Sequence, residues 1–546
     1  MIVIYEQILW DPLQWISPLD KIASVVLTVL IIEASRRSVG LTFPIMAIFF
    51  FIYAFYGQKF PSAWAHKNFT FDQVFWNLYH TTNGIWGQMV GLSAGMLAMF
   101  GIFGSVLAIT GGSQTFIKIA QKLTGKSVGG PGKVSLIASG LFGMISGSAM
   151  ANVVATGTFT IPMMKKNGYN GEWSAAISAV GSTGGQIMPP IMGSAAFIMA
   201  QLLGIPYMSI AKAAILPALL YYMGAFVAVH YMSKRLGIKG EEIRERIGKI
   251  ELAIIFVPLL MFVALLVMSY TVTKAAFYAT VVGIITSAIC FFAQNKQVSE
   301  TVKKTGKMCF DISQDGARSI LSMAGLLAGA QISIALISQT GFGVKLSSMI
   351  VSIGQGHMFM CLVLSMLVCF VLGMGLPPTA AYVLAAAILA PALITLGLHD
   401  IVAHLFVFYF STIGAITPPV CAAVFLASGI AESNWLKTGG LSVILAAPAF
   451  LVPYTFAYNE ALMLNGTLIE IVICAVTAII GVFFMGASIA GYINKEMNIV
   501  IRLIMFVGGV LMFAPNTITS IVGIVICAAT YAMSIAGKKS QPVATA

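Results

Sequence analysis

Ser182-Thr183-Gly184-Gly185-Gln186-Ile187-Met188-Pro189-Pro190 returns 229 residues later as Ser411-Thr412-Ile413-Gly414-Ala415-Ile416-Thr417-Pro418-Pro419. Both copies sit near the centre of long apolar stretches, Glu172–Leu203 and Asp400–Gly429. Proline has no N–H and clashes with the preceding helical turn, so each stretch reads as a helix broken halfway. A single Pro-Pro pair arises easily by chance. The pattern S-T-x-G-x-I-x-P-P recurring in similar surroundings does not. Gly168 and Gly397 keep the same offset, and Leu141–Gly143 matches Leu372–Gly373 loosely.

The solvent around these breaks follows from composition. The chain has 546 residues, 59% apolar and only 9% charged, with a mean hydropathy of +0.94. A soluble domain carries about 25% charged residues, so a water-facing surface is excluded, and so is a disordered chain. The remaining solvent is lipid, with room for more than about ten spans at roughly 20 residues each. The net charge of +12 fits basic loops that anchor spans. The seven cysteines form no CxxC pair and read as apolar fillers, with Cys309 placed in a basic loop. The six histidines show no HExxH spacing. Met1–Pro18 is acidic and aromatic, so no cleavable signal peptide is expected.

Apolar runs predict spans at Lys21–Ala34, Gly40–Gly57, Gly84–Thr110, Met208–Met232, Leu252–Tyr270, Thr273–Ala293, Gly316–Thr340, Leu436–Tyr454 and Thr467–Gly486. Arg502–Ala536 reads as two helices separated at Ala514-Pro515-Asn516. Phe69–Thr82 reads as a surface segment, and Lys118–Lys126 as a basic arm. Lys133–Lys165 and His357–Leu396 are apolar but interrupted mid-way, and are expected to be re-entrant hairpins that begin and end on one side. With the two broken helices crossing once each, 24 of the 30 Lys and Arg residues fall on one side. That side includes Arg36, Arg37, the Lys234–Lys249 cluster containing Arg244 and Arg246, and Lys538 and Lys539. The other side keeps Lys21, Lys59, Lys67, Lys212, Lys274 and Lys345. The rich side is then cytoplasmic, with the C-terminus cytoplasmic and the N-terminus periplasmic.

An odd number of crossings separates the two copies, so they face opposite ways. Inverted repeats with paired discontinuous helices mark secondary transporters. The fold class expected is an all-α polytopic membrane protein, an inverted-repeat elevator transporter with two re-entrant hairpins and two interrupted helices. Irregular backbone is tolerated at membrane depth only inside protein or beside a cavity.

The first hairpin tip, Gly143–Asn152, offers Ser146, Ser148 and Asn152 beside a new helix start whose free N–H groups attract a carboxylate. The second, Gly373-Met374-Gly375-Leu376-Pro377-Pro378-Thr379, restarts a helix at its prolines, with Thr379 and Tyr382 following. At the breaks, unwound carbonyls around Gly181 and Gly414, with Ser182, Thr183, Ser411, Thr412 and Thr417, form a hard oxygen set suited to Na+. Gln186 adds an amide. Close packing by small residues in lipid is the competing explanation, but packing alone requires neither Pro-Pro pairs nor Gln186 and Asn152. Neither tip nor break contains Asp, Glu, Lys, Arg or His. A proton relay through a buried carboxylate is thus disfavoured, although a proton could ride on the substrate. An intramembrane serine hydrolase using Ser146 or Ser148 lacks a nearby histidine and a GxSxG elbow, so no enzymatic activity is expected.

Gly-Met-Ile-Ser-Gly-Ser-Ala-Met-Ala-Asn-Val-Val-Ala-Thr-Gly-Thr-Phe-Thr-Ile-Pro at Gly143–Pro162, followed by Ser182–Pro190, resembles the large membrane subunit of TRAP (tripartite ATP-independent periplasmic) transporters. Asn152 together with Ser-Thr-Gly-Gly-Gln-Ile-Met-Pro-Pro is similar to the TAXI-type branch, whose small and large membrane subunits are fused. The resemblance runs from about Leu30 to the C-terminus. It implies an inner-membrane elevator symporter and a separate periplasmic binding protein. The implied cargo is a small organic acid such as 2-oxoglutarate, glutamate or a C4-dicarboxylate, and the implied coupling ion is Na+ or H+, with Na+ favoured. Carried over by position, Ser146, Ser148, Asn152, Gly375 and Thr379 contact substrate, and Gln186 is added to them from the chemistry of the break. Ser182, Thr183, Ser411, Thr412 and Thr417 contact the cation, and the unwound carbonyls at Gly181 and Gly414 are added to them. The implied organisation is a shortened small-subunit-like scaffold at 1–83 and a scaffold helix and basic arm at 84–130. Transport repeats follow at 131–207 and 341–433, with scaffold helices at 208–340 and 434–546. A binding-protein-independent carrier of the divalent-anion or citrate type is the alternative.

Overall fold

The computed structural model describes residues 18–240, 247–373, 375–514 and 516–535. Met374, Arg244, Arg246, Pro515, Lys538, Lys539, both chain ends and the Met1–Ser17 segment lie outside the described residues. Among those described, the chain is helical throughout, and the only β pairing is an isolated bridge between Tyr492 and Glu496. Eight helices are long and apolar enough to cross a membrane. They are Gln88–Ile109, Tyr207–Arg235, Lys249–Val267, Val272–Gln294, Val298–Thr340, Pro378–Thr395, Leu468–Ala490 and Thr517–Ile535. The protein is a multi-pass membrane protein, and its outer helices bear this out. Leu468 and Ile469 are 76% and 72% exposed, which is intelligible only if hydrocarbon covers them.

The interior is built differently. The helix Gly171–Gly184 is buried from Ser174 to its end, in a run of Ala, Ser and Gly. Small side chains let neighbouring backbones approach it on every side. Helices 130–146, 400–413 and 422–431 all pack on it. The first broken stretch thus lies inside the core, with large buried side chains such as Phe197, Tyr221, Phe406 and Tyr409 belonging to the same cluster.

Both interrupted stretches break where expected, and in register. Gly171–Gly184 and Asp400–Ile413 start and end 229 residues apart. Gly193–Leu203 and Ala422–Ala431 start 229 apart. The bonds Pro189–Pro190 and Pro418–Pro419 are both cis. Gly168 and Gly397, the matched glycines ahead of each stretch, have φ of +100° and +96°, a left-handed turn that excludes most side chains.

The first hairpin is an antiparallel helix pair, Gly130–Ser146 against 149–166. Its rungs are hydroxyl bonds, Ser135 to Thr160 at 3.1 Å and Ser139 to Thr156 at 3.0 Å. Residues Val153–Gly157 of the second arm form a π-helical turn, a local distortion frequent beside functional sites. The second pair is Met358–Gly373 and Pro378–Thr395. A helix at Phe342–Ile353, not anticipated from hydropathy, packs on its second arm, with Ser347 Oγ bonded to Ile388 O at 3.0 Å.

Three expectations need correction. The span expected at Gly316–Thr340 is the end of a 43-residue helix, Val298–Thr340. At 1.5 Å per residue it is about 65 Å long, twice the hydrocarbon thickness. Its first half carries Glu300, Lys303, Lys304, Lys307, Asp311 and Asp315 and so has no continuous apolar run, although Lys and Glu are good helix formers. Cys309 accordingly lies in this helix and not in a loop. The span expected at Leu436–Tyr454 is two helices, Trp435–Leu445 and Ala447–Tyr458, bent by 44°. Pro448 in the first turn of the second helix starts it afresh.

Candidate functional site

The first tip is shaped by a glycine and a serine. Gly147, with φ +62°, closes the helix Gly130–Ser146, and its N–H bonds back to Gly143 O at 3.0 Å. Ser148 is extended and caps the next helix, its Oγ accepting from Ala151 N at 3.3 Å. Ser146 Oγ reaches Ser148 O at 3.5 Å. At the second tip, Gly375 has φ +71° and Pro378 opens the following helix.

The first tip rests directly on the first break. A Cβ added to Gly143 would stand 2.7 Å from Gly185 Cα, and one added to Gly185 would stand 2.6 Å from Gly143 Cα. Gly147 and Gly193 make the same approach, at 2.7 Å in each direction. Four glycines thus join two backbones with no side chain between them. Asn152 fastens this seam. Fully buried, it donates to Ser139 O at 2.7 Å and to Ser182 O at 3.3 Å, while its Oδ1 accepts from Thr156 Oγ1 at 3.2 Å. All of its polar atoms are engaged inside the protein, so in this conformation Asn152 is a positioning residue.

Both tips line one cavity of about 500 Å³. Ser146, Ser148, Gly375 and Thr379 are in its wall, and Asn152 and Gln186 are not. Ser194, just after the first break, completes the tip side, its Oγ 2.7 Å from Thr379 Oγ1. That bond ties the first broken stretch to the second hairpin. Opposite stand Ser38 on the helix Pro18–Val39 and Ser319 and Ser322 on Val298–Thr340. The wall carries hydroxyls on every side and no charged side chain. Hydroxyls and helix-start N–H groups can orient a carboxylate, and the volume suits a small molecule. Ser38, Ser194, Ser319 and Ser322 escaped sequence reasoning because none of them lies in a hairpin tip or in the repeated Pro-Pro motif; Ser38 and Ser319 follow arginines at the basic ends of their apolar segments.

The expected cation ligands lie deeper. Ser182, Thr183, Ser411 and Thr412 are at most 2% exposed, and the two breaks pack against each other. Thr183 Oγ1 and Gln186 Nε2 are buried without a hydrogen-bond partner among the described residues. Ser411 Oγ is likewise buried without a partner among the described residues, with Cys369 Sγ beside it. Thr412 and Thr417 donate to Phe408 O and Ile413 O, leaving lone pairs free. Gly181 O accepts from both Gly185 N and Tyr222 Oη, so both its lone pairs are engaged. Buried polar atoms without partners are rare; Thr183 Oγ1 and Ser411 Oγ are oxygens with acceptor capacity, whereas Gln186 Nε2 is a donor. No group of three or more His, Cys, Asp or Glu gathers among the described residues.

Comparison with known proteins adds three relatives and a family profile. The profile of the DctM component of the tripartite ATP-independent periplasmic transporters matches residues 26–471. The C4-dicarboxylate TRAP transporter large permease protein DctM of Vibrio cholerae is 24% identical over 358 residues, covering 62% of this chain and 78% of that one. The isethionate TRAP transporter permease protein DctMQ of Oleidesulfovibrio alaskensis is 25% identical over 62% of this chain and 52% of its own length. The 2,3-diketo-L-gulonate TRAP transporter large permease protein YiaN of Escherichia coli is 22% identical over 66% of this chain and 83% of its own.

Proposed function

Because this bacterial membrane chain belongs to the tripartite ATP-independent periplasmic transporter family, as a DctM-type large permease and not an enzyme, we propose that it imports small organic acids by cation symport. The cavity that both tips share carries this reading. Its hydroxyls and helix starts suit an anionic cargo without a fixed cation in the wall. The relatives' printed substrates, a C4-dicarboxylate, isethionate and 2,3-diketo-L-gulonate, are all small anions. Within that class the proposed cargo is a dicarboxylate such as 2-oxoglutarate or glutamate, on the TAXI-like motif at Asn152 and Ser182–Pro190. Family members work with a periplasmic binding protein, and the proposed partner here is a separate TAXI-type one.

The proposed mechanism is an elevator. The two hairpins and two broken stretches, the units at 131–207 and 341–433, form an inverted repeat that slides against the other helices with cargo between the tips. The oxygen set at Ser182, Thr183, Ser411 and Thr412 takes Na+. The register of the breaks supports the repeat, and the lysine-poor end is assigned to the periplasm. The wall residues Ser38, Ser319 and Ser322 lie near Arg36, Arg37 and Arg318, so the cavity sits toward the basic, cytoplasmic end.

Reconstitution in liposomes tests the proposal. Uptake should require both an inward Na+ or H+ gradient and added binding protein loaded with acid. Uptake that needs neither overturns it. Uptake driven by a gradient through the membrane chain alone favours a self-sufficient carrier instead.

A further inference from the structure

A second polar cavity, of about 370 Å³, is lined by Asn83, Gln88, Gln331, Ser338, Ala386 and His404, with others. It lies further along the helix Val298–Thr340. Ser319, Ser322 and Leu326 face the tip cavity, and Gln331, Ala335 and Ser338 face this one. The two groups are centred about twelve residues apart, or about 18 Å along the axis. Of the four cavities formed by Leu136, Phe69, Thr82 and Ser38 with their neighbours, this one alone has an imidazole, carboxylate or amine in its wall.

That side chain is His404, on the helix Asp400–Ile413 of the second broken stretch. It stands two turns before Ser411, on the same face. Its Nδ1 is 2.8 Å from Tyr382 Oη. Tyr382 is fully buried and stands one turn after Thr379, which lines the tip cavity. Nε2 has no hydrogen bond from the described residues. Asp400, one turn earlier, is the carboxylate on its own helix, and Tyr382 is the titratable group in contact with it. The helices Gly193–Leu203 and Val298–Thr340 present Leu202, Gln331 and Ser338 to the cavity, with no lysine or arginine.

An ionisable side chain that faces a cavity inside a membrane protein is usually functional. Imidazole is the side chain whose ordinary range spans physiological pH. We propose that His404 is a proton-binding site of the carrier, loaded from this second cavity and moved with the broken stretch that bears it. With Nδ1–H donating to Tyr382 Oη, the Nε2 lone pair accepts a proton from hydronium, leaving water. Asp400, in the first turn of the same helix, offsets the new charge. On the far side the imidazolium returns the proton to water. The inference rests on the symport reading and adds a second ion to it, alongside Na+ at the breaks.

The test uses the full chain in liposomes with binding protein and an organic acid, Na+ equal on both sides and the outside acidic. The parent should show a several-fold faster uptake than without the pH difference, and a trapped pH dye should report acidification in step. His404→Gln should lose both responses while keeping uptake driven by a Na+ gradient. Retention of the pH response in His404→Gln overturns the inference, as does its absence in a parent that a Na+ gradient drives. Should His404→Gln lose all uptake, Tyr382→Phe decides, since loss of the Nδ1 partner must shift the pH profile. An unshifted profile refutes the site. A parent inactive under every gradient refutes the symport reading itself.

Discussion

Gly185→Ala tests the seam on which the candidate site depends. The new Cβ would stand 2.6 Å from Gly143 Cα and 2.9 Å from Ser139 O. Both obstacles are backbone, so no rotamer change relieves them. Ordinary contact needs close to 4 Å, and the first hairpin must move off the broken stretch by roughly an ångström. Overpacking of this kind costs about 1–3 kcal/mol. The same movement stretches the bonds from Asn152 to Ser139 O and Ser182 O, worth about 1 kcal/mol each. The expected loss is about 2–4 kcal/mol, seen as a lowered melting temperature in detergent together with loss of uptake. Gly429→Ala is the control. It lies within the helix Ala422–Ala431, with nothing within 4 Å of an added Cβ, and alanine there should be neutral or stabilising by up to about 1 kcal/mol. If Gly185→Ala melts and transports like Gly429→Ala, the two backbones do not touch as described.

Asn152→Ala should destabilise by about 2–3 kcal/mol, because Ser139 O and Ser182 O each lose a buried donor. A variant that melts normally but binds cargo poorly would instead place Asn152 in the cavity. Thr379→Val removes the partner of Ser194 and one cavity hydroxyl. The Michaelis constant for the acid should rise up to about tenfold, for a loss of about 0.5–1.5 kcal/mol, with little change in melting temperature; an unchanged constant would remove Thr379 from the cargo contacts. Ser182→Ala and Thr412→Ala each delete a hydroxyl oxygen at a break, so the Na+ concentration for half-maximal uptake should rise. Unchanged Na+ dependence in both would discredit the break as a cation site.

Much of the architecture was legible because lipid makes hydropathy decisive. The spans, the broken stretches and their 229-residue register follow from apolar runs punctuated by Pro-Pro and Gly. Even the turn glycines Gly168 and Gly397 could be paired by position before their shared left-handed geometry was known. The helix from Val298 to Asp315 was not legible, since its polar residues are ordinary helix formers without an apolar signal.

What only the tertiary structure decided is which polar group faces what. Ser146, Ser148, Asn152 and Gln186 look equivalent in the sequence, yet two line a cavity and two are closed within the protein. Ser38, Ser319 and Ser322 join the first tip from helices remote in the chain, and His404 meets Tyr382 across 22 residues. Local composition dictates where a chain must bend or cross lipid, because those costs fall on each segment by itself. A hydroxyl's partner depends on which other segment packs against it, and that is set by the close approach of glycine-lined backbones in the folded protein.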